Sequence, residues 1–149
     1  MEIHFIKDDS KYLHKSKERT PLLGLYSGFK FLSRLKYNKV FVLSCDLPKI
    51  NIDVVKNFID ISKKHECIIP KWKNNYIEPL FAIYPVKKAY HKAKENLNNG
   101  IFKLAKLIDK SWDVCFISIE NYIKRWDPFL ETFININKIS DLELLGKEF

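Results

Sequence analysis

Glycine is scarce in this sequence. The 149 residues contain four glycines, at positions 24, 28, 100 and 146. None of them forms a glycine-rich loop with a neighbouring Arg and Lys, the arrangement in which backbone N–H groups cradle nucleotide phosphates. The sequence as given therefore has no phosphate-binding loop of this kind.

Cysteine is also scarce, and its spacing argues against two kinds of site. The three cysteines are widely separated, lie in or beside apolar runs and form no CxxC pair: Cys45, Cys67 and Cys115. The histidines have no metal-ligand spacing and are interpreted as surface or structural residues: His4, His14, His65 and His91. We therefore expect reduced thiols, without a zinc site or a disulfide framework.

Arginine is rare although the chain is basic. The net charge is +8, and 26 residues are Lys or Arg. Only Arg19, Arg34 and Arg125 are arginines. Base readout and bidentate phosphate contacts favour Arg over Lys, so the charge supports nucleic-acid binding only weakly. The lysines are spread through predicted helices, which is typical of solvated helix faces.

Long hydrophobic runs are absent. Hydrophobic residues make up 46% of the chain and charged residues 30%, as in a globular protein. No apolar stretch is long enough to cross a bilayer, and the first residues lack the layout of a signal peptide. We expect one cytoplasmic domain over residues 1–149 that does not act at a membrane.

The segment Lys39–Pro48 is the strongest local pattern. Val40–Leu43 is an unbroken apolar run, typical of a strand that is buried on both faces of a parallel sheet. Asp46 follows it, at the position where open α/β sheets bind ligands. Two interpretations of Asp46 remain open: a cap for the helix that starts near Asn51, and an oxygen ligand for Mg²⁺.

The rest of the chain predicts strands that alternate with helices. The predicted strands are Ile3–Ile6, Val40–Leu43, Glu66–Pro70, Tyr76–Pro85 with an interruption at Glu78 and Pro79, Val114–Ile119 and Thr132–Ile136. The predicted helices begin at Thr20 and Pro21, at Asn51 or Asp53, at Val86, at Ile101 and, with a capping box, at Ser140. Lys11–Thr20 is predicted as a loop. This alternation indicates an α/β domain with a largely parallel sheet.

Five segments form a larger pattern. They are Asp8 to Ser10, Thr20 to Gly28, Leu43 to Pro48, Ile77 to Tyr84, and Phe133 to Asn137 before a helix containing Asp141 and Glu143. Their order and spacing resemble the molybdenum cofactor guanylyltransferase (MobA-like) family of nucleotidyltransferases. The resemblance covers nearly the whole chain.

The resemblance implies both a fold and a reaction. The fold would be the three-layer, Rossmann-like fold of nucleotide-diphospho-sugar transferases, with a mostly parallel sheet. The reaction would transfer GMP from Mg²⁺-bound GTP to the molybdopterin-bound molybdenum cofactor, with release of pyrophosphate. GTP or another NTP and the molybdopterin cofactor are therefore the expected small-molecule partners, and Mg²⁺ the expected cofactor.

The resemblance also implies roles for individual residues. Asp46 matches the family's Mg²⁺-binding, catalytic aspartate. Asp9 matches an acidic residue that contributes to nucleotide binding, and Pro21, Leu22 and Gly24 match a segment beside the nucleotide. The remaining implied positions are Asn135 and Asn137, which would orient metal or phosphate. Glu78 and Pro79, with Trp72 and Tyr76, are a candidate acceptor pocket, and the alternative for these aromatic residues beside a turn is packing.

The resemblance begins only after the family's first strand and glycine-rich loop. We therefore expect the chain to correspond to the C-terminal two-thirds of the family's domain. A truncated or interrupted gene or an excerpted chain would explain this, and so would a partner chain or dimer that completes the sheet. Three alternatives to the guanylyltransferase remain open: a non-catalytic remnant or binding module, a related transferase using CTP or a sugar phosphate, and a basic nucleic-acid-binding domain.

Overall fold

The computed structural model describes residues 3–13 and 20–138. The helices are α1 (Ser10–Leu13), α2 (Pro21–Arg34), α3 (Ile52–Ile61) and α4 (Val86–Asn98), and the strands are β1 (Lys39–Leu43), β2 (Cys67–Lys71), β3 (Phe81–Pro85) and β4 (Val114–Ser118). Short 3₁₀ turns follow at Leu104–Leu107, Ile123–Arg125 and Glu131–Phe133. The predicted final helix, with Ser140, Asp141 and Glu143, lies outside the described residues.

The four strands form one sheet in the order β1-β3-β2-β4. The N–H of Ser44 donates to the carbonyl of Leu80 (2.8 Å), which joins the end of β1 to the start of β3. The N–H of Ile119 donates to the carbonyl of Lys71 (3.0 Å), which joins the ends of β4 and β2. Because β3 is also antiparallel to β2, the strands β1, β2 and β4 share one direction and β3 opposes it. This confirms the predicted mixed α/β fold with a mostly parallel sheet.

Strand β1 differs from its prediction. It lies at an edge of the sheet, and its three central residues are only half-buried, with Leu43 45% exposed. The prediction that Val40–Leu43 is buried on both faces was therefore wrong. The apolar run identified a strand correctly, but burial depends on neighbouring elements that a local pattern does not specify.

The chain divides into two compact units. The first contains Met1–Val40 and Tyr84–Val114, and the second Phe41–Ile83 and Cys115–Phe149. In the first unit α2 packs against α4. Their buried side chains include Leu22, Leu23, Tyr26, Phe29, Ala89, Ala93 and Leu97. The spacing of these residues gives each helix one apolar face, as the sequence predicts.

The core of the second unit lies between α3 and the sheet. Its buried members are Val54, Phe58, Ile68, Phe81, Ile83, Ile117, Ile119 and Ile123. Ile68 of β2 lies opposite Ile83 of β3. The ring of Phe81 makes edge-on contacts with the rings of Phe41, Phe58 and Phe133. These ring contacts centre on Phe81, the first residue of β3.

Several predicted elements take another form. Residues 3–6 form no strand, and Phe5 is 96% exposed. The predicted helix Ile101–Ile108 contains only a short 3₁₀ turn. The predicted strand Thr132–Ile136 does not form, and its first two residues belong to another 3₁₀ turn. The first three residues of the predicted loop Lys11–Thr20 lie in α1. Short apolar runs do not distinguish strands from turns without their tertiary partners.

The structure shows which residue caps the N-terminus of α3. Asn51 is its N-cap, and the Asn51 side chain accepts hydrogen bonds from the N–H groups of Asp53 and Val54. The interpretation of Asp46 as the cap was therefore wrong. Thr20 precedes α2 as predicted, but its side chain makes no capping hydrogen bond. No helix in the part of the chain that the structure describes is long and apolar enough to cross a membrane.

Candidate functional site

Asp46 lies in the turn that follows β1. Its Oδ1 atom is buried and accepts no hydrogen bond from any residue that the structure describes. A buried carboxylate oxygen without a partner carries a desolvation cost that a bound cation would offset. Because Asn51 caps α3, Asp46 is not needed as a helix cap. No hydrogen bond within the described part of the chain accounts for the buried position of this oxygen.

Glu78 lies close enough to Asp46 for their charges to interact. The Nε1–H group of Trp72 donates a hydrogen bond to Oε1 of Glu78 at 2.6 Å. Burial raises the pKa of Glu78, the Trp72 hydrogen bond opposes this, and the negative charge of Asp46 raises the pKa further. The second unit therefore brings two carboxylates and an indole donor together at the carboxyl edge of β1 and β2.

The segment that carries the two predicted asparagines reaches the same edge. The N–H of Ile136, between Asn135 and Asn137, donates to the backbone carbonyl of Asp46 at 2.8 Å. Both asparagines are exposed. They do not lie on a strand, although Asn135 falls within the predicted strand Thr132–Ile136. The structure nevertheless holds their backbone beside Asp46.

A buried carboxylate that the sequence analysis missed supports this segment. Asp127 is 4% exposed, and its side chain accepts hydrogen bonds from the N–H groups of Glu131 (3.0 Å) and Thr132 (2.8 Å). Thr132 accepts one from the N–H of Asn51 at 3.1 Å. The sequence Trp126, Asp127, Pro128 predicts a turn, but only the structure shows that the Asp127 side chain fixes the 3₁₀ turn before Asn135.

Asp9 lies in the first unit and is already paired. Its Oδ2 is 2.6 Å from Nζ of Lys30, and its Oδ1 accepts the N–H of Lys11 at 3.0 Å. The hydrogen bond from Lys30, followed by that from the Lys11 backbone, lowers the pKa of Asp9 below its ordinary value. The N–H of Asp9 also donates to Oγ of Ser27 at 3.0 Å. Asp9 thereby fixes the segment before α1 onto α2.

The other predicted nucleotide-binding residues lie on the first turn of α2. Pro21 and Gly24 are exposed, whereas Leu22 is fully buried, which leaves only its backbone for a ligand. A Cβ on Gly24 would lie 3.8 Å from Oδ1 of Asp8. The carboxylate next to Gly24 is thus that of Asp8, not of Asp9. In an Asp-Asp pair, sequence alone does not show which carboxylate lies beside Gly24 and which pairs with Lys30.

The second-unit site has a donor set that fits a hard cation. Within residues 3–13 and 20–138, no group of three or more His, Cys, Asp or Glu side chains could hold a metal ion. Mg²⁺, however, usually binds through one or two carboxylates together with substrate phosphates and water. The buried, unpartnered oxygen of Asp46 fits that mode. The site therefore suits a cation that arrives with a phosphate ligand.

Comparison with known proteins establishes the family. Residues 3–112 match the family model described as the MobA-like NTP transferase domain. The chain belongs to the MobA-like NTP transferase family. The match covers α1 through α4 and the turn at Leu104–Leu107. It confirms the family that the five segments of the sequence indicated.

Three curated relatives of this MobA-like chain share one name. The proteins from Methanocaldococcus jannaschii (38% identity, 82% of this chain, 58% of the relative) and Pyrococcus horikoshii (33%, 84%, 61%) are each named "Probable molybdenum cofactor guanylyltransferase". The protein from Methanosarcina mazei has the same name (30%, 83%, 53%). The MobA-like chain thus spans between about half and three-fifths of the length of these relatives.

Solved structures share the fold. The crystal structure of molybdopterin-guanine dinucleotide biosynthesis protein A from Archaeoglobus fulgidus has a TM-score of 0.69 and 24% identity, and the match covers 92% of this chain and 67% of that one. A putative protein from Aquifex aeolicus gives 0.62 and 24%, over 85% and 61%. The MobA-like chain therefore has the fold of these proteins.

Proposed function

We propose that this chain is the Asp46-bearing part of a nucleotidyltransferase that transfers GMP from Mg²⁺-bound GTP to the molybdopterin-bound molybdenum cofactor. The observation that carries the proposal is the buried, unpartnered Oδ1 of Asp46 in a MobA-like domain. The names of the curated relatives support GTP and the molybdenum cofactor as substrates. We assign the reaction to the cytoplasm.

Asp46 would hold the Mg²⁺ ion, whose positive charge would neutralise the triphosphate. The chain's own residues act by positioning, since phosphoryl-type transfer needs alignment and charge stabilisation more than covalent chemistry. The hydrogen bond from Ile136 to Asp46 fixes the turn after β1. It also keeps Asn135 and Asn137 beside that turn, where they would orient phosphate oxygens.

The nucleotide contacts that the resemblance implies lie in the segment before α1 and at the start of α2. Gly24 is exposed and has no side chain, so a ligand could approach its backbone closely. Pro21 and Leu22 set the start of that helix. Asp9, through Lys30, would hold the preceding segment in place. Pro79 remains a predicted acceptor contact together with Glu78.

Nucleotide binding tests this proposal directly. Calorimetry of the 149-residue chain with GTP, CTP and ATP, each with and without Mg²⁺, should give tightest binding for Mg²⁺-bound GTP. Asp46→Asn should abolish the Mg²⁺-dependent part. Asp60→Asn removes the same charge from an exposed ion pair with Lys63 and should leave binding unchanged.

Pyrophosphate release in the presence of the molybdopterin cofactor separates the enzyme from its alternatives. Turnover that requires Asp46 supports the transferase. Binding of Mg²⁺-bound GTP without any turnover favours the binding module instead. A preference for CTP contradicts the guanylyl assignment, and equal binding by Asp46→Asn and the original chain contradicts the role of Asp46.

A further inference from the structure

Glu78 is fixed more firmly than a surface carboxylate requires. Its Oε1 accepts the indole N–H of Trp72 at 2.6 Å, and its backbone N–H donates to the carbonyl of Pro70 at 3.0 Å. Its carbonyl accepts the N–H of Phe81 at 3.2 Å, where β3 begins. Both the backbone and the side chain of Glu78 are therefore held at the sheet edge.

Trp72 is held equally well. Its backbone N–H donates to the carbonyl of Tyr76 at 2.8 Å, and its own carbonyl accepts the N–H of Asn75 at 2.9 Å. Its ring contacts that of Phe133 edge-on, with centroids 5.7 Å apart. An indole has one donor and no acceptor, so a rigid Trp72 fixes which atom of Glu78 faces it.

Stability alone does not explain a carboxylate at position 78. Glu78 is half-buried, and the N–H of Ser44 donates to the carbonyl of Leu80 at 2.8 Å, which holds the turn with Asp46 beside the segment with Glu78. Burial and a neighbouring carboxylate both disfavour an ionised side chain. A glutamine there would accept the same hydrogen bond from Trp72 without either cost. A cation between the two carboxylates changes this balance, because it attracts both charges and replaces the water that each has lost.

We propose that Glu78 is the second carboxylate ligand of the divalent cation at Asp46, and that Trp72 is the residue that positions it. The bond from Trp72 is made to Oε1, so we assign Oε2 as the ligand atom. This assignment rests on the proposed function, in which Asp46 holds the cation. It gives Glu78 a role on the metal in place of the acceptor contact predicted from the sequence.

The test uses Tb³⁺ as a hard, oxygen-seeking probe on the 149-residue chain, followed by the emission that an excited tryptophan transfers to a bound ion. Of the three tryptophans, Trp72 should supply this signal. Mg²⁺ should displace the Tb³⁺ and abolish it. Trp72→Phe should remove the emission and also weaken Mg²⁺ binding, measured by calorimetry, about tenfold, as loss of a ligand's orienting partner usually does.

Glu78→Gln supplies the decisive comparison. It keeps an acceptor for Trp72 and should lower the affinity for Tb³⁺ and Mg²⁺ at least tenfold, by losing a ligand. Glu120→Gln is the matched control, because Glu120 follows β4 and its carboxylate accepts the N–H of Lys73 (3.0 Å). It should bind both ions as the original chain does. Glu78→Asp, which keeps the charge but shortens the side chain, replaces Glu78→Gln if circular dichroism shows that variant unfolded.

The outcomes separate this inference from the proposed function. Unchanged affinity in folded Glu78→Gln, with loss of binding in Asp46→Asn, overturns the role of Glu78 and leaves the Asp46 site intact. Unchanged affinity in both variants overturns the cation site as a whole. Emission that survives both Trp72→Phe and Asp46→Asn would show that the ion binds elsewhere, which contradicts the inference.

Discussion

Two glycines in α2 allow the nucleotide contact to be separated from helix stability. Gly24 and Gly28 are the fourth and eighth residues of a 14-residue helix. Alanine is favoured over glycine within a helix by up to about 1 kcal/mol, partly because glycine has more freedom in the unfolded chain. Whether alanine stabilises the helix at each position therefore depends on the space that the surroundings leave for a Cβ atom.

The surroundings of the two glycines predict that alanine fits at both. A Cβ at position 24 would meet its nearest neighbour, Oδ1 of Asp8, at the ordinary contact distance of 3.8 Å. A Cβ at position 28 would meet nothing within 4 Å. We expect Gly24→Ala and Gly28→Ala each to raise the free energy of unfolding by about 0.5–1 kcal/mol, and the midpoint temperature by roughly 1–4 °C.

Urea denaturation followed by far-ultraviolet circular dichroism measures this effect, and calorimetry with Mg²⁺-bound GTP measures function. If the nucleotide approaches the backbone at position 24, Gly24→Ala should weaken nucleotide binding although it stabilises the fold. Gly28→Ala should stabilise the fold and leave binding unchanged. Destabilisation by Gly24→Ala would refute the spacing around Asp8, and equal binding by both variants would refute the nucleotide contact at Gly24.

Three further predictions concern the second unit. Asn51→Ala removes the cap of α3 and a bond to the Trp126 carbonyl (2.9 Å) and should cost about 1–2 kcal/mol in urea denaturation; a smaller loss than about 0.5 kcal/mol would refute the capping role. Phe81→Ala should cost about 3–5 kcal/mol because the ring is buried among three others, whereas Phe129→Ala, at an 85% exposed position, should stay within about 0.5 kcal/mol. Burial raises the pKa of the Cys67 thiol to about 12 from 9.0. The contribution of this thiol to the free energy of unfolding is therefore fully present below pH 9 and is lost as the pH rises towards 12. Cys67→Ala should make the free energy of unfolding fall less steeply over that pH range. In native protein a thiol reagent should modify exposed Cys45 and spare Cys67, and rapid modification of Cys67 would contradict its burial.

The sequence alone determined the family and most of the regular structure. The helices beginning at Pro21, near Asn51 and at Val86 were predicted from caps, proline and apolar spacing, all of which act within one or two turns. The strands at Val40 and Val114 followed from apolar runs of β-branched and aromatic residues. The order of the five segments identified the MobA-like family, because motif order survives where single motifs are common.

Only the tertiary structure decided how these elements are used. It placed β1 at a sheet edge, turned Thr132–Ile136 into a 3₁₀ turn with an irregular extension, and gave the cap of α3 to Asn51 instead of Asp46. It also paired Asp9 with Lys30 and brought Trp72 onto Glu78 beside Asp46. All of these depend on how strands, helices and turns pack against one another. A local pattern specifies which groups are present, whereas their burial and partners depend on the packing of the whole unit.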